Sequence, residues 1–300
     1  MIHTLDLLDR APRVIASFLL ETSEGPVVLE TGPESRFETL ARALREKGYA
    51  PQDVRHVFVT HVHLDHAGAA WRFAEHGATV YVHPKGAPHL IDPSKLWASA
   101  ARIYGDQMEA LWGRMGYVPQ AQVRALEDGE RVRIGGLSIE ALDTPGHASH
   151  HHAYRIDSAL IAGDVAGVRI GRGPVLPPCP PPDIHVETWQ QSLARLRGLG
   201  LQTLYLTHFG PVTDVQDHLA ALEARLLDWA DWMRRRLKAG RSRQEIVSEF
   251  EAHVADELHA AGLNDEELRE YEYADPAWMS VDGLTRYWTK HHPEAIAPAF

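Results

Sequence analysis

Val57-Phe-Val-Thr-His61-Val-His63-Leu-Asp65-His66-Ala-Gly68 places four potential metal ligands within six residues, directly after an apolar run that reads as a buried strand. Histidines two apart on an extended segment project to one side, and a turn into a helix near Asp65 swings the next two ligands to a neighbouring position. One strand end can thus feed two adjacent metals. Downstream, single candidates stand where strands run out into loops: His147 in Asp143-Thr-Pro-Gly-His147, Asp164 in Ile161-Ala-Gly-Asp164, and His208 in Leu206-Thr-His208-Phe-Gly-Pro211. Groups from separate strand ends meeting at one edge of a sheet make a catalytic site on a rigid scaffold.

Around this segment, β-branched and apolar runs predict strands at Val14 to Leu20, Val27 to Glu30, Val54 to Thr60, Thr79 to His83, Arg131 to Ile134, Leu137 to Leu142, Ala153 to Ile156, Ala159 to Ala162 and Thr203 to Thr207. Helical spacing falls between them, with Phe37, Leu40, Ala41 and Leu44 following Ser35 as a cap, and Trp189, Leu193 and Leu196 keeping the same period. The mixture predicts an α/β fold of stacked sheets covered by helices. Residues 88 to 120 read as a helical insertion. Gly171 to Asp183, with six prolines, reads as a rigid irregular loop. After His208 the strands are expected to stop, which divides the chain into residues 1–212 and a helical region 213–300. There Leu219, Leu222, Leu226, Trp229, Met233 and Leu237 form an apolar seam that packs on the core or on other C-terminal helices, or, in a sharper reading, joins a homodimer.

With its His-x-His-x-Asp-His signature and the later His, Gly-Asp and His motifs in order, the sequence resembles the metallo-β-lactamase superfamily over residues 1 to 212. The resemblance implies a four-layer αββα sandwich with the site at one edge. Carried over position by position, it implies one metal held by His61, His63 and His147, a second by Asp65, His66 and His208, and Asp164 bridging both. The family usually has an aspartate at the end of an early strand. Here Leu29-Glu30-Thr31-Gly32 offers Glu30, one methylene longer, as a carboxylate that supports the ligands from behind. Many β-lactamases of the family use a cysteine ligand and lack a histidine at the place of His66. Cys179, the single cysteine, stands in no such motif, so antibiotic hydrolysis is a poor expectation.

Imidazole and carboxylate donors suit two divalent ions, zinc first by affinity, with iron or manganese where supply or geometry favours them. Coordination lowers the pKa of water toward 7. The expected chemistry is therefore hydrolysis of a small ester, thioester, lactone or phosphoester by a hydroxide bridging the metals, with Asp65 orienting it and passing its proton. By formal count two dications outweigh Asp65, Asp164 and one hydroxide, so the pocket favours anionic substrates. Arg169 and Arg172, shortly after Asp164, are candidates for clamping such an anion, although solvated loop arginines are the blander reading. His150, His151 and His152 are expected behind the ligands or at the surface, because strand alternation sends neighbours to opposite faces. His83 is read as structural.

Nineteen histidines stand out in an otherwise ordinary composition of 44% hydrophobic and 24% charged residues. A net charge of −11 disfavours nucleic acid and anionic membranes as partners. No apolar run reaches the roughly 18 residues that span a bilayer. The start, MIHTLDLLDR, lacks the pattern of a secretory signal, so a cytoplasmic location is expected. Two other classes compete with hydrolysis: a mononuclear iron oxidoreductase resembling persulfide dioxygenases, and a metal-stabilised binding protein without turnover.

Overall fold

In the computed structural model, which describes residues 1–297, the apolar runs form two six-stranded sheets. The first contains β1 (Ile2–Asp6), β2 (Ala16–Thr22), β3 (Gly25–Leu29), β4 (His56–Phe58), β5 (Thr79–Val82) and β6 (Val123–Ala125), neighbours in chain order. The second runs likewise through β7 (Arg131–Ile134), β8 (Leu137–Asp143), β9 (His152–Ile156), β10 (Ala159–Ile161), β11 (Thr203–Leu206) and β12 (Gly210–Val212). Period-two alternation sorts the side chains of each strand between two layers. In β2, Phe18 and Leu20 face a core shared with Phe58, Tyr81, Ile139 and Tyr154, while Leu19 belongs to a cluster with helical residues. The Phe58 and Tyr81 rings stack at 4.2 Å in this inter-sheet layer, and Tyr154 meets Phe58 edge-on at 5.2 Å.

Helices close both outer faces. The first sheet is covered by α1 (Phe37–Glu46), α2 (Leu64–Ala67) and α3 (Ala70–Ala74), through Phe37, Leu40, Ala67 and Phe73. Then come α4 (Ala87–Ile91), α5 (Ser94–Tyr104) and α6 (Met108–Trp112), the expected insertion. Its apolar side chains gather on Leu64, although the stretch from Gly113 to Pro119 is irregular. The second sheet is covered by α7 (Val186–Arg197), followed by α8 (Val215–Lys238), α9 (Arg243–Ala260), α10 (Asp265–Ala274) and α11 (Ala277–His291). The chain is thus an αββα sandwich with a C-terminal helical region. Ser242 and Asn264 start α9 and α10 with reciprocal capping by Glu245 and Glu267, each cap worth about 1 kcal/mol.

The α8 seam packs inward. Leu219, Leu222, Leu226, Trp229 and Met233 lie in one continuous core with Leu193 of α7, Leu204 of β11 and Phe250 of α9. Each such side chain removed from water contributes about 2 kcal/mol. Positions 298 to 300 of the expected helical region lie outside the described residues.

Several local expectations need correction. Strands do not stop at His208, because Gly210–Val212 returns as β12 along β11. β1 and β6 were not legible either. All three are short sheet edges, paired on one side only, and lack the clean alternation that made the fourth edge, β7, readable. The strand expected over Val54 to Thr60 is confined to His56–Phe58. Ser35 does not cap α1: it lies in a 3₁₀ turn, and its hydroxyl donates to Leu111 O at 2.6 Å, tying the insertion to the sandwich.

Pairs β3–β4 and β10–β11 are parallel, with Leu29 beside Phe58 and Ile161 beside Tyr205. Their carboxyl ends therefore deliver Glu30, Thr60, Asp164 and Thr207 to one edge of the sandwich, where hydrogen bonds join the two sheets.

Candidate metal centre

After β4 the chain bends at Thr60, His61 and His63 and then enters α2, so His61 and His63 precede the helix and Asp65 and His66 lie in its first turn. His61 Nε2 and His63 Nδ1 stand 2.9 Å apart, and His147 Nε2 lies 3.2 Å from the same His63 nitrogen. Nitrogens around a tetrahedral ion with bonds of about 2.05 Å are separated by about 3.3 Å. On the other side, Asp65 Oδ2 is 3.4 Å from His208 Nε2 and 3.6 Å from His66 Nε2. Asp164 spans the two groups: Oδ2 lies 3.4 Å from His147 Nε2, and Oδ1 lies 3.3 Å from His66 Nε2 and 3.6 Å from His208 Nε2. All seven expected residues are thus brought together as His61–His63–His147, His61–His66–Asp164 and Asp65–His66–His208.

The outward nitrogens are tied to the frame. His147 Nδ1 donates to the carbonyl of Pro178, which explains one use of the proline-rich loop, and His208 Nδ1 donates to Val14 O at 2.6 Å. His61 Nδ1 meets Thr60 Oγ1 at 3.0 Å, and that hydroxyl in turn donates to Glu30. Each bond leaves an inward lone pair on Nε2. His66 Nε2 and Asp164 Oδ1 are buried and have no hydrogen-bond partner among the described residues. Two orphaned atoms of this kind, facing each other across other donors, fit a cation.

Glu30 is fully buried and adopts a left-handed backbone (φ 63°), a conformation costing about 1 kcal/mol for a residue with a side chain. Its carboxylate accepts from Thr60 N at 2.7 Å, from Thr60 Oγ1 and Thr207 Oγ1 at 3.0 Å each, and from His66 Nδ1. One side chain thereby joins the ends of β4 and β11 and orients His66.

Protonation divides the cluster. Burial, with the neighbouring rings, holds His61 well below the ordinary histidine value and His63 at about 3, and burial also lowers His147. Burial works the same way on His66 and His208, but the carboxylates of Asp164 and Asp65 outweigh it and raise both rings. Burial would lift Asp65, yet His66 and His208 hold its carboxyl below the usual range. Three neutral imidazoles on one side and a proton-balanced set on the other both suit cation binding, the second with release of protons.

The three histidines after His147 go to three places. His150 lines a cavity of about 360 Å³ beside His63. His151 is fully buried, and its Nε2 accepts from the amides of Asp164 at 3.2 Å and Val165 at 3.4 Å. His152 meets His83 and Asp143. That trio could also be drawn as a metal site. However, His83 Nδ1 accepts from Lys85 N at 2.9 Å, so Nε2 carries the proton it donates to Asp143 at 2.8 Å and has no free lone pair. Arg169 and Arg172 do not line the cavity. Arg169 Nη1 donates to both carboxylate oxygens of Asp214 at 2.9 Å, and Arg172 reaches Glu267 and the carbonyl of Gly262.

The cavity opens beside Asp65, Asp164 and His208, with walls from the insertion, the proline-rich loop and the α10–α11 junction. Sequence reasoning missed Trp112, Asp275 and Met279 on these walls, since nothing in their spacing separates them from ordinary core positions. Trp112 Nε1 and Asp275 Oδ2 are buried without partners.

The metallo-beta-lactamase superfamily profile matches residues 10–208. The chain belongs to this superfamily. Among curated proteins, the metallo-beta-lactamase fold-containing protein ST1585 of Sulfurisphaera tokodaii is 30% identical over 55% of this chain and 64% of its own length. An atrochrysone carboxyl ACP thioesterase of Aspergillus fumigatus is 23% identical over 79% of this chain and 52% of its own. The chain thus spans between half and two thirds of these relatives. Among solved structures, the family protein TTHA1429 from Thermus thermophilus superposes with a TM-score of 0.71, covering 96% of this chain and 93% of that one at 22% identity. That coverage includes the helical region beyond the superfamily core.

Proposed function

We propose that this superfamily member is a metal-dependent hydrolase of small carbonyl or phosphoryl esters, with ester and thioester substrates ahead of lactones and phosphoesters. The observation that carries the reading is the position of Asp65, which lies both in the donor cluster and on the cavity wall. A fungal relative named as a thioesterase supports the thioester choice.

His61, His63 and His147 would hold one divalent ion and Asp65, His66 and His208 a second, with Asp164 shared; zinc is the first choice by ligand type and affinity. When bound, such a pair supplies Lewis acidity and a nucleophilic water at neutral pH. The remaining work falls to the chain. Asp65 accepts the hydrogen bond of the attacking water, aims it and carries its proton toward the leaving group. Glu30, Thr60, His151 and Pro178 keep the ligand atoms in place, so the arrangement is built before substrate arrives. No helix among the described residues is long and apolar enough to cross a membrane, and a cytoplasmic location belongs to the same reading.

The test is elemental analysis and native mass spectrometry of the reconstituted protein, with turnover on ester, thioester, lactone and bis-phosphodiester panels. Two ions per chain, reduced at both positions in Asp164→Ala, with turnover on one ester class, is the expected result. One iron per chain with oxygen uptake would replace the reading by an oxidoreductase. Full loading without turnover would leave a binding protein.

A further inference from the structure

The cavity beside the metal centre is chemically lopsided. Leu64, Leu96, Ala100, Ile103, Trp112 and Met279 give it an apolar trough between the insertion and α11. Ile103 remains 39% exposed there. Trp112 is only 9% exposed, yet its indole N–H, which can only donate, has no acceptor. The trough therefore lacks both a hydrocarbon partner and one hydrogen-bond acceptor.

Charge marks another part of the wall. Lys85 and Lys95, two of only five lysines in a chain of net charge −11, both line this cavity and both are exposed. Neither has a carboxylate within 4.0 Å among the described residues. Arg10, on the same wall, is tied to Asp9 and the Tyr273 carbonyl. Asp183 is engaged by Ser149. The two lysines thus stand at the rim without an ion-pair partner among the described residues and are free to meet an anion there, in a molecule whose overall charge is negative.

We propose that the substrate is an amphiphilic acyl ester or thioester, its hydrocarbon acyl group laid in the trough and its anionic leaving group held by Lys85 and Lys95. This rests on the hydrolase reading. Trp112 donates to an oxygen of the acyl part, and Met279 and Ile103 close over the chain. Hydrolysis joins the oxygen of water to the carbonyl carbon and breaks the bond to the leaving sulfur or oxygen. The leaving group takes one proton, and the acid product releases the other.

The test offers the metal-reconstituted full chain acetyl, butyryl, hexanoyl and octanoyl coenzyme A beside the matching N-acetylcysteamine thioesters, which carry the same acyl group and no phosphate. Burying each added methylene should raise kcat/KM about threefold until the trough is full. The Lys85→Ala/Lys95→Ala double variant should raise KM about five- to tenfold for the coenzyme A series and leave the uncharged series within about twofold. Trp112→Phe, which keeps an aromatic ring of smaller size and loses the N–H, should lower kcat/KM several-fold in both series without changing the chain-length slope. Rates independent of chain length, or equal losses for both carriers in the double variant, overturn the proposal while leaving hydrolysis intact. If no thioester turns over, calorimetry with octyl coenzyme A, a thioether that cannot be cleaved, separates the two ideas. Binding that weakens in the double variant upholds the amphiphile site and removes only the hydrolase reading, whereas absence of binding removes the amphiphile as well.

Discussion

Glu30 accepts the Nδ1 proton of His66, across 36 positions of chain, and so turns the other ring nitrogen toward Asp164. The link is possible because the parallel pairing of β3 with β4 puts the residue after one strand against the turn that follows the other. Glu30→Gln keeps the size of the side chain but supplies an amide where a carboxylate accepts from three donors on one oxygen. Metal affinity at the position shared by His66 should fall about 10- to 100-fold, with the His61–His63–His147 position less affected. Titration of the apo protein with zinc against a competing chelator measures both.

Asp65 is placed both to bind and to move a proton, so its removal should separate stability from catalysis. Asp65→Asn retains an oxygen toward His208 and loses the basic carboxylate. We expect kcat to drop about 10²- to 10⁴-fold while Tm moves by a few degrees, as for loss of a general base. Parallel loss of metal would show instead that the carboxylate serves mainly as a ligand.

His151 accepts from the amides of Asp164 and Val165, and its ring lies 5.0 Å from that of His61 without offering the centre a free nitrogen. His151→Ala should therefore leave metal stoichiometry unaltered while lowering stability by about 1–3 kcal/mol, because two buried donors lose their acceptor. Denaturant titration and elemental analysis on the same sample distinguish this from a ligand role, which would lower the metal count.

His152 gives a pH dependence with a definite sign. Burial, helped by the nearby His83, lowers its pKa from 6.5 to about 4. An unfolded chain takes up this proton near 6.5 and the folded one does not, so the unfolded state binds more protons between those values. Stability from this residue is complete above about 6.5 and is lost as pH falls toward 4, by up to about 3 kcal/mol. In His152→Gln the decline of Tm across this window, measured with excess metal, should be shallower than in the native protein.

The ligand segment was readable because its chemistry is local. His61, His63, Asp65 and His66 are neighbours, two before the helix start and two within it. Most central strands and the covering helices were readable for a similar reason, since burial on both faces leaves continuous apolar runs. Of the four edges only β7 was readable; β12, for example, is Gly-Pro-Val, and a proline in a strand is tolerated only where no partner needs its missing amide.

By itself, the sequence determined the candidate donor residues and a layered α/β architecture, because these follow from residue type and short-range periodicity, while the αββα class and the sharing of the donors between two metals came from the resemblance to the superfamily. Only the tertiary structure decided that Glu30 serves His66, that His151 supports Asp164, that Arg169 and Arg172 are spent on Asp214 and Glu267, and that Lys85, Trp112 and Met279 share one cavity. Those relations join residues tens to hundreds of positions apart. Their partners are selected by which layers the hydrophobic cores bring into contact, a choice that no local spacing records.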